Sequence, residues 1–364
     1  MKFCTNCLLN DQLSHVKVGE DGICNFCKNQ SKIDVDFSKR KLKKLLERTK
    51  VLNKSSKYDC IIGISGGLDS SYLLLKACEL GLKPLAVHMD NGWNTELAQN
   101  NIEKLIKHFD LDYETYIIDW GTYRELLIAY MNKDMIDLEL LYDNAMIAVN
   151  YHFAYKYNNK TIFSGDNQQT EGIPMPPEWY WPKLDATNIK SMARKNKINL
   201  NNFPLIHHRE IIFNKIRGIR RINFLDYIEY NKKNATKELL KIGYKPYPFK
   251  HYESVFTRFY QGEILPKKFS VDKRLVHLST LINDGQINKE EALSIIKKSP
   301  YESEDLLYKD YKYVCKKLKI NEKFLKDYMN RKEKSHLQVN SHVPMIKILS
   351  KIKNMLGYPK SIKW

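Results

Sequence analysis

The chain has 364 residues, 43% of them hydrophobic and 12% aromatic, and a formal net charge of +18. That size and composition suit a folded protein of one large domain with smaller attachments, and exclude a disordered chain. No apolar run reaches the ~18–20 residues that span a bilayer, and Met1-Lys2-Phe3-Cys4 does not open a secretory h-region, so a cytoplasmic location is expected.

Residues 1–30 carry four of the seven cysteines and little apolar material. Cys4-x2-Cys7 and Cys24-x2-Cys27 are paired knuckles whose spacing suits one tetrahedral Zn2+ held by four thiolates. Such a site is closed to substrate, which predicts a structural, zinc-ribbon-like module. A basic linker helix is expected within 31–56, where Leu42, Leu45, Leu46 and Leu52 recur at roughly helical spacing.

Residues 57–245 alternate strand and helix signals, the pattern of a doubly wound α/β domain on a parallel sheet. Strands are predicted at 58–64, 84–89, 113–118 and 161–164, with helices at 71–79, 96–109 and through most of 123–157. Residues 172–182 hold four prolines and three aromatics, and read as a lid over a pocket or a packed surface turn. From Phe213 onward the pattern is helical, with a proline break at 245–248. Residues 246–364 read as a helical region for substrate or partner binding.

The first predicted strand runs into Ser65-Gly66-Gly67-Leu68-Asp69-Ser70 and then a helix. Glycines let backbone approach a phosphate, and the following helix turns free N–H groups and its positive dipole end toward that anion. The loop lacks the Lys-Ser/Thr ending of a Walker loop and the GxGxxG of a dinucleotide turn. The expected nucleotide contacts are Ile64, Ser65, Gly66, Gly67, Asp69 and Ser70. Asp69, Ser65 and Ser70 are the candidate catalytic groups, with Asp69 managing Mg2+ or pyrophosphate. Met89 and Asp90, and Gly165 and Asp166, end two other predicted strands and join the expected ATP pocket.

Farther on, Tyr252, Arg258, Gln261, Lys267, Lys268, Lys273 and Arg274 mix cations, aromatics and hydrogen-bonding groups. They read as a binding surface for a phosphorylated or carboxylated ligand, or as a solvated helical face. Cys60, Cys78 and Cys315 read as small core hydrophobes, and none lies in a glutaminase-like elbow.

The cysteine knuckles, the segment 58–70 and the stretch from Lys250 to Leu293 together resemble the N-acetyl sugar amidotransferases, a PP-loop (adenine nucleotide alpha hydrolase-like) family of bacterial surface-glycan pathways. Thr257-Arg258-Phe259-Tyr260-Gln261-Gly262 and Leu265-Pro266-Lys267-Lys268-Phe269 are the most specific of these segments. Leu68 departs from the Lys that many members carry. The resemblance implies adenylation by ATP of the acetamido oxygen of an N-acetylated sugar, then attack by ammonia to give an acetamidino group. It also implies a separate glutaminase subunit as the ammonia source. The rival enzymatic reading is a tRNA-modifying PP-loop enzyme of thiolation or lysidine type. The knuckles and the charge favour it, but the lysines are spread along the chain rather than gathered in one block.

Overall fold

A computed structural model describes residues 1–29, 35–345 and 348. Residues 30–34, where the expected module meets its linker, and 346–347 and 349–364 of the expected C-terminal region lie outside the described residues. The linker itself is an α-helix, Val35–Leu52, whose Leu45 is buried and whose Leu42 and Leu46 pack on the same core.

Five strands form one parallel sheet: β1 Cys60–Gly63, β2 Pro84–Asp90, β3 Tyr113–Ile117, β4 Thr161–Ser164 and β5 Arg220–Asn223. Their order is β3-β2-β1-β4-β5. Each inner strand is covered on both faces, which is why β1 and β2 read as continuous apolar runs rather than alternating ones. Ile61, Leu85, Val87 and Ile162 face a core shared with the Leu140–Lys156 helix. Cys60, Ile62, Ala86 and Phe163 face the opposite core, built with Leu73 and Leu74 of the Leu68–Glu79 helix and Leu105 of the Glu96–Phe109 helix. The doubly wound α/β expectation holds.

The fifth strand falls in a stretch expected to be mainly helical, which is corrected here. β5 reads Arg-Arg-Ile-Asn and lies at the sheet edge with both arginines exposed, so it has no apolar run to announce it.

From β1 the chain builds outward through β2 to β3, then returns to place β4 on the other side of β1. The carboxyl ends of β1 and β4 therefore border the switch-point crevice, where open α/β sheets take their ligands.

The C-terminal part is helical. A stretch from Val255 to Phe269 contains a π-helical turn at Tyr260–Ile264. Pro266 has no N–H to give the Gly262 carbonyl, which accounts for the widened turn. The helices Arg274–Asn283, Lys289–Ile296, Glu304–Leu318 and Glu322–Asn330 follow. Among the described residues, no helix is long and apolar enough to cross a membrane.

Candidate active site

The Ser65–Ser70 loop joins β1 to the Leu68–Glu79 helix, and its own hydroxyls fold it. Ser65 N–H donates to Ser70 Oγ at 3.2 Å, Gly67 N–H donates to Ser65 Oγ at 3.3 Å, and the two hydroxyl oxygens are 3.2 Å apart. Gly66 has φ +78°, and a Cβ there would meet the Ala98 carbonyl oxygen at 2.5 Å, so only glycine lets the loop lie this close. No side chain caps the helix at Gly67. Its first N–H groups and the positive end of its dipole thus face the crevice, as an anion site requires.

Gly165, after β4, packs on the same turn. A Cβ there would lie 3.2 Å from Asp69 C and from Ser70 N. Beside it Arg221 of β5 donates to Asp166 Oδ2 at 2.5 Å and to Ser164 Oγ at 2.7 Å. His88 of β2 is buried and held in one tautomer. Its Nδ1 lies 2.8 Å from the Ile64 carbonyl and its Nε2 lies 2.8 Å from the Asn94 amide nitrogen. With Nδ1–H donating and Nε2 accepting, the ring is neutral, and burial lowers its pKa accordingly.

The loop opens into a cleft of about 890 Å³. Ile64, Ser65, Gly67, Asp69, Ser70, Met89, Gly165 and Asp166 line it. Gly66 and Asp90 do not line it. Gly66 accepts at its carbonyl from Tyr247 OH at 3.1 Å, and Asp90 Oδ1 accepts from Gly92 N–H at 2.7 Å, so both shape loops beside the cleft.

Lys250, which opens the stretch read from the sequence as a binding surface, and Lys232, which the sequence did not single out, line the cleft near Asp69. Lys250 Nζ sits 2.5 Å from Glu171 Oε1; burial acts to lower its pKa, but Glu171 and Asp69 outweigh burial and raise it. Lys232 makes no ion pair among the described residues. Burial, then the neighbouring Lys250 charge, lowers its pKa. The buried Tyr244 hydroxyl, also lining the cleft, has no hydrogen-bond partner among the described residues. An uncapped helix, an unpaired cation and an orphaned hydroxyl together fit a polyphosphate group.

The far wall is built differently. Lys183 Nζ bridges Asp137 Oδ2 at 2.7 Å and Asp143 Oδ2 at 2.8 Å. Lys273 Nζ reaches Glu139 Oε2 at 2.5 Å, while Gln261 Nε2 donates to Glu139 Oε1 at 2.7 Å. Burial, with Glu139 and Asp137 nearby, raises the Asp143 pKa despite Lys183. His277 is driven well below the ordinary histidine range by burial and then by Lys250, His251, Lys232 and Lys273, and is a neutral imidazole.

Of the residues expected to bind substrate, Gln261 and Lys273 line the cleft, and the others are corrected. Arg258 Nε and Nη2 donate to Asp310 at 2.5 and 2.6 Å. Lys268 is fully buried on Asp134 and the Tyr328 and Arg331 carbonyls. Arg274 pairs with Asp272, Tyr252 OH donates to the Pro300 carbonyl, and Lys267 is exposed beside Glu263. The reason is helical phase. Ser254, Thr257 and Gln261, at helical spacing, present one face to the cleft, whereas Arg258 lies about 100° around the helix from Thr257. Glu253, Ser254 and Thr257 belong to the stretch from Lys250 onward that reads from the sequence as a binding surface, and they line the cleft, whereas His277, which the sequence did not single out, joins them only through tertiary packing.

The four N-terminal cysteines come together, all ligand atoms lying within 4.8 Å of one another. The Cys4–Cys27 and Cys7–Cys24 sulfur pairs are both 3.8 Å apart. A tetrahedron with Zn–S near 2.3 Å has an edge of about 3.8 Å. Cys24 N–H also donates to Cys4 Sγ at 3.3 Å. The donor set fits Zn2+.

Residues 253–353 match the family described as "LPS biosynthesis protein WbpG-like, C-terminal domain". The match takes in most of the Lys250–Leu293 stretch, one of the three segments on which the resemblance to sugar amidotransferases rests, and supports it. No curated protein matches the chain. Among solved structures the chain is similar to an NH3-dependent NAD synthetase from Campylobacter jejuni, at 15% identity and a TM-score of 0.30, over 60% of this chain and 100% of that one. It is also similar to an NMN synthetase from Francisella tularensis, at 13% identity and a TM-score of 0.31, over 61% of this chain and 100% of that one.

Proposed function

We propose that the chain is an ATP-dependent carbon–nitrogen ligase, forming AMP and pyrophosphate, that turns the acetamido group of an N-acetylated sugar into an acetamidino group for a bacterial surface glycan. One observation carries this reading. The anion-cradling loop and the WbpG-like segment line one and the same cleft, the loop supplying Ser65, Gly67, Asp69 and Ser70 and the segment supplying Glu253, Ser254, Thr257, Gln261, Lys273 and His277.

An amide oxygen leaves poorly until it is esterified to AMP. In the proposed reaction it attacks the α-phosphorus of ATP and pyrophosphate departs. The first N–H groups of the Leu68–Glu79 helix and Lys232 stabilise the charge building on that pyrophosphate. Asp69 would hold Mg2+, which supplies further charge neutralisation there. Ammonia then attacks the activated carbon, and AMP departs with the former amide oxygen. The product amidine is a cation. Glu139 and Asp143 line the cleft and offer carboxylates to that cation. The Ser254, Thr257 and Gln261 side chains would align the sugar and its acetamido group.

Free ammonia is scarce at neutral pH, and no cysteine lines the cleft. Burial pushes the Cys78 thiol up to about 12, and Cys60 is raised well above its ordinary value by burial. Neither suits a glutaminase nucleophile or a sulfur carrier. This argues for a separate glutaminase subunit and against thiolation. The test is to offer ATP, ammonium and a panel of N-acetylated sugar nucleotides and nonulosonic acids. AMP and pyrophosphate that appear only with an N-acetylated acceptor support the reading, and ADP and phosphate oppose it.

A further inference from the structure

We propose that Ser14 and His15 of the four-cysteine module are positioning residues for the acceptor wall of the cleft, so that metal occupancy sets how well that wall is formed. This rests on the function proposed above for the meaning of "acceptor", but its structural part does not.

The module's outward hydrogen bonds reach two elements that contribute to the cleft, the 172–182 segment and the Arg274–Asn283 helix. His15 Nε2 lies 2.8 Å from the Pro174 carbonyl, with Nε2–H donating. Ser14 donates to both Glu178 oxygens, from N–H at 3.1 Å and from Oγ at 2.6 Å. Those bonds clamp the proline-rich 172–182 segment, whose Pro174, Met175 and Tyr180 line the cleft. Leu8 N–H donates to Ser279 Oγ at 3.2 Å, on the helix that carries His277. Lys289 Nζ donates to the Cys4 and Thr5 carbonyls at 2.8 Å each. The two clamped elements also meet directly, Ile173 N–H donating to Thr280 Oγ1 at 3.4 Å.

Leu13 and Val16 of the module share a core with Ile173 and Trp179 of the segment. Besides these, only Leu8 and Leu9 of the module's other non-cysteine apolar side chains are buried among the described residues, so its order depends on the four thiolates and their metal. The backbone of the nucleotide loop has independent supports. The Ser65–Ser70 loop is held by its own hydroxyls, by Tyr247 on Gly66 and by His88 on Ile64. Metal loss should therefore loosen the acceptor wall and spare the loop.

Hydrogen–deuterium exchange on the full chain, before and after metal removal by a chelator, reads this directly. Exchange in residues 172–182 and 274–283 should rise about tenfold or more, while residues 61–79 change by less than about twofold. Unchanged exchange in 172–182 overturns the proposal. So does an equal rise in 61–79, which would make the module a general stabiliser. A Ser14→Ala/His15→Ala protein that keeps its zinc should raise KM for the acceptor about tenfold, with kcat and KM for ATP within about twofold. Equal losses in both KM values contradict it. If the unaltered chain turns over no N-acetylated acceptor, the function proposal fails while the exchange result still decides this one.

Discussion

Tyr230 donates its phenolic hydrogen bond to Asp69 Oδ1, so the only carboxylate of the glycine loop is oriented from outside the loop. Tyr230 is itself fixed, its N–H donating to Gln169 Oε1 at 2.6 Å and its carbonyl accepting from Gln286 Nε2 at 3.0 Å. The carboxylate beside the expected pyrophosphate thus depends on two distant segments. Asp69→Ala should lower ATP turnover by about a hundredfold or more with an unchanged melting temperature, and Tyr230→Phe by about tenfold. Near-normal turnover in a folded Asp69→Ala protein would remove the loop from the mechanism.

Lys232 should be a residue that function keeps at the expense of stability. Burial and Lys250 lower its pKa, so its charge is disfavoured in the folded state. That cost is full below the folded pKa and fades as pH rises toward the ordinary lysine value of about 10.4. Lys232→Met should raise the melting temperature at pH 7, with the gain vanishing at high pH, while weakening nucleotide binding about tenfold. Calorimetry and nucleotide titration on the same protein check both halves. A lower melting temperature with unchanged affinity is the contrary result.

Arg258 and Gln261 should separate stability from substrate binding. The Arg258–Asp310 pair is bidentate, with the two side chains only 13% and 5% exposed. Arg258→Ala should cost about 3–5 kcal/mol in denaturant unfolding, because it strands a buried carboxylate. Gln261→Leu should instead raise KM for the acceptor with little change in stability. The reverse pattern would return Arg258 to the substrate site.

The β1–loop–helix unit was legible because its signal is local: an apolar run, two glycines, a serine at each end and a helical pattern. The cysteine knuckles were legible for the same reason. The far wall was not. Glu139 meets Gln261 and Lys273 only through tertiary packing across more than a hundred residues of chain, and Lys183 reaches Asp137 across a further fold of it. The motif around Arg258 was visible, but which of its side chains face inward depends on helical phase relative to the sheet, and a single sequence does not state that. Lys268 shows the consequence, a cation that reads as a ligand group yet lies wholly buried on Asp134.

Metal analysis should give about one zinc per chain, held by Cys4, Cys7, Cys24 and Cys27. Cys24→Ser should lose the metal and lower the melting temperature, since metal binding to such a module is part of its folding free energy. A Cys24→Ser protein that keeps both contradicts the four-thiolate site.

The central claim is that the acetamido oxygen becomes bonded to the α-phosphorus of ATP, and an isotope label reports on that bond. An N-acetylated acceptor carrying heavy oxygen in its acetamido group is turned over with ATP and ammonium, and the nucleotide and inorganic products are examined by mass spectrometry. The account predicts that the label appears in AMP and is absent from pyrophosphate. Label in pyrophosphate or orthophosphate, or label retained in the sugar while ATP is consumed, would contradict it.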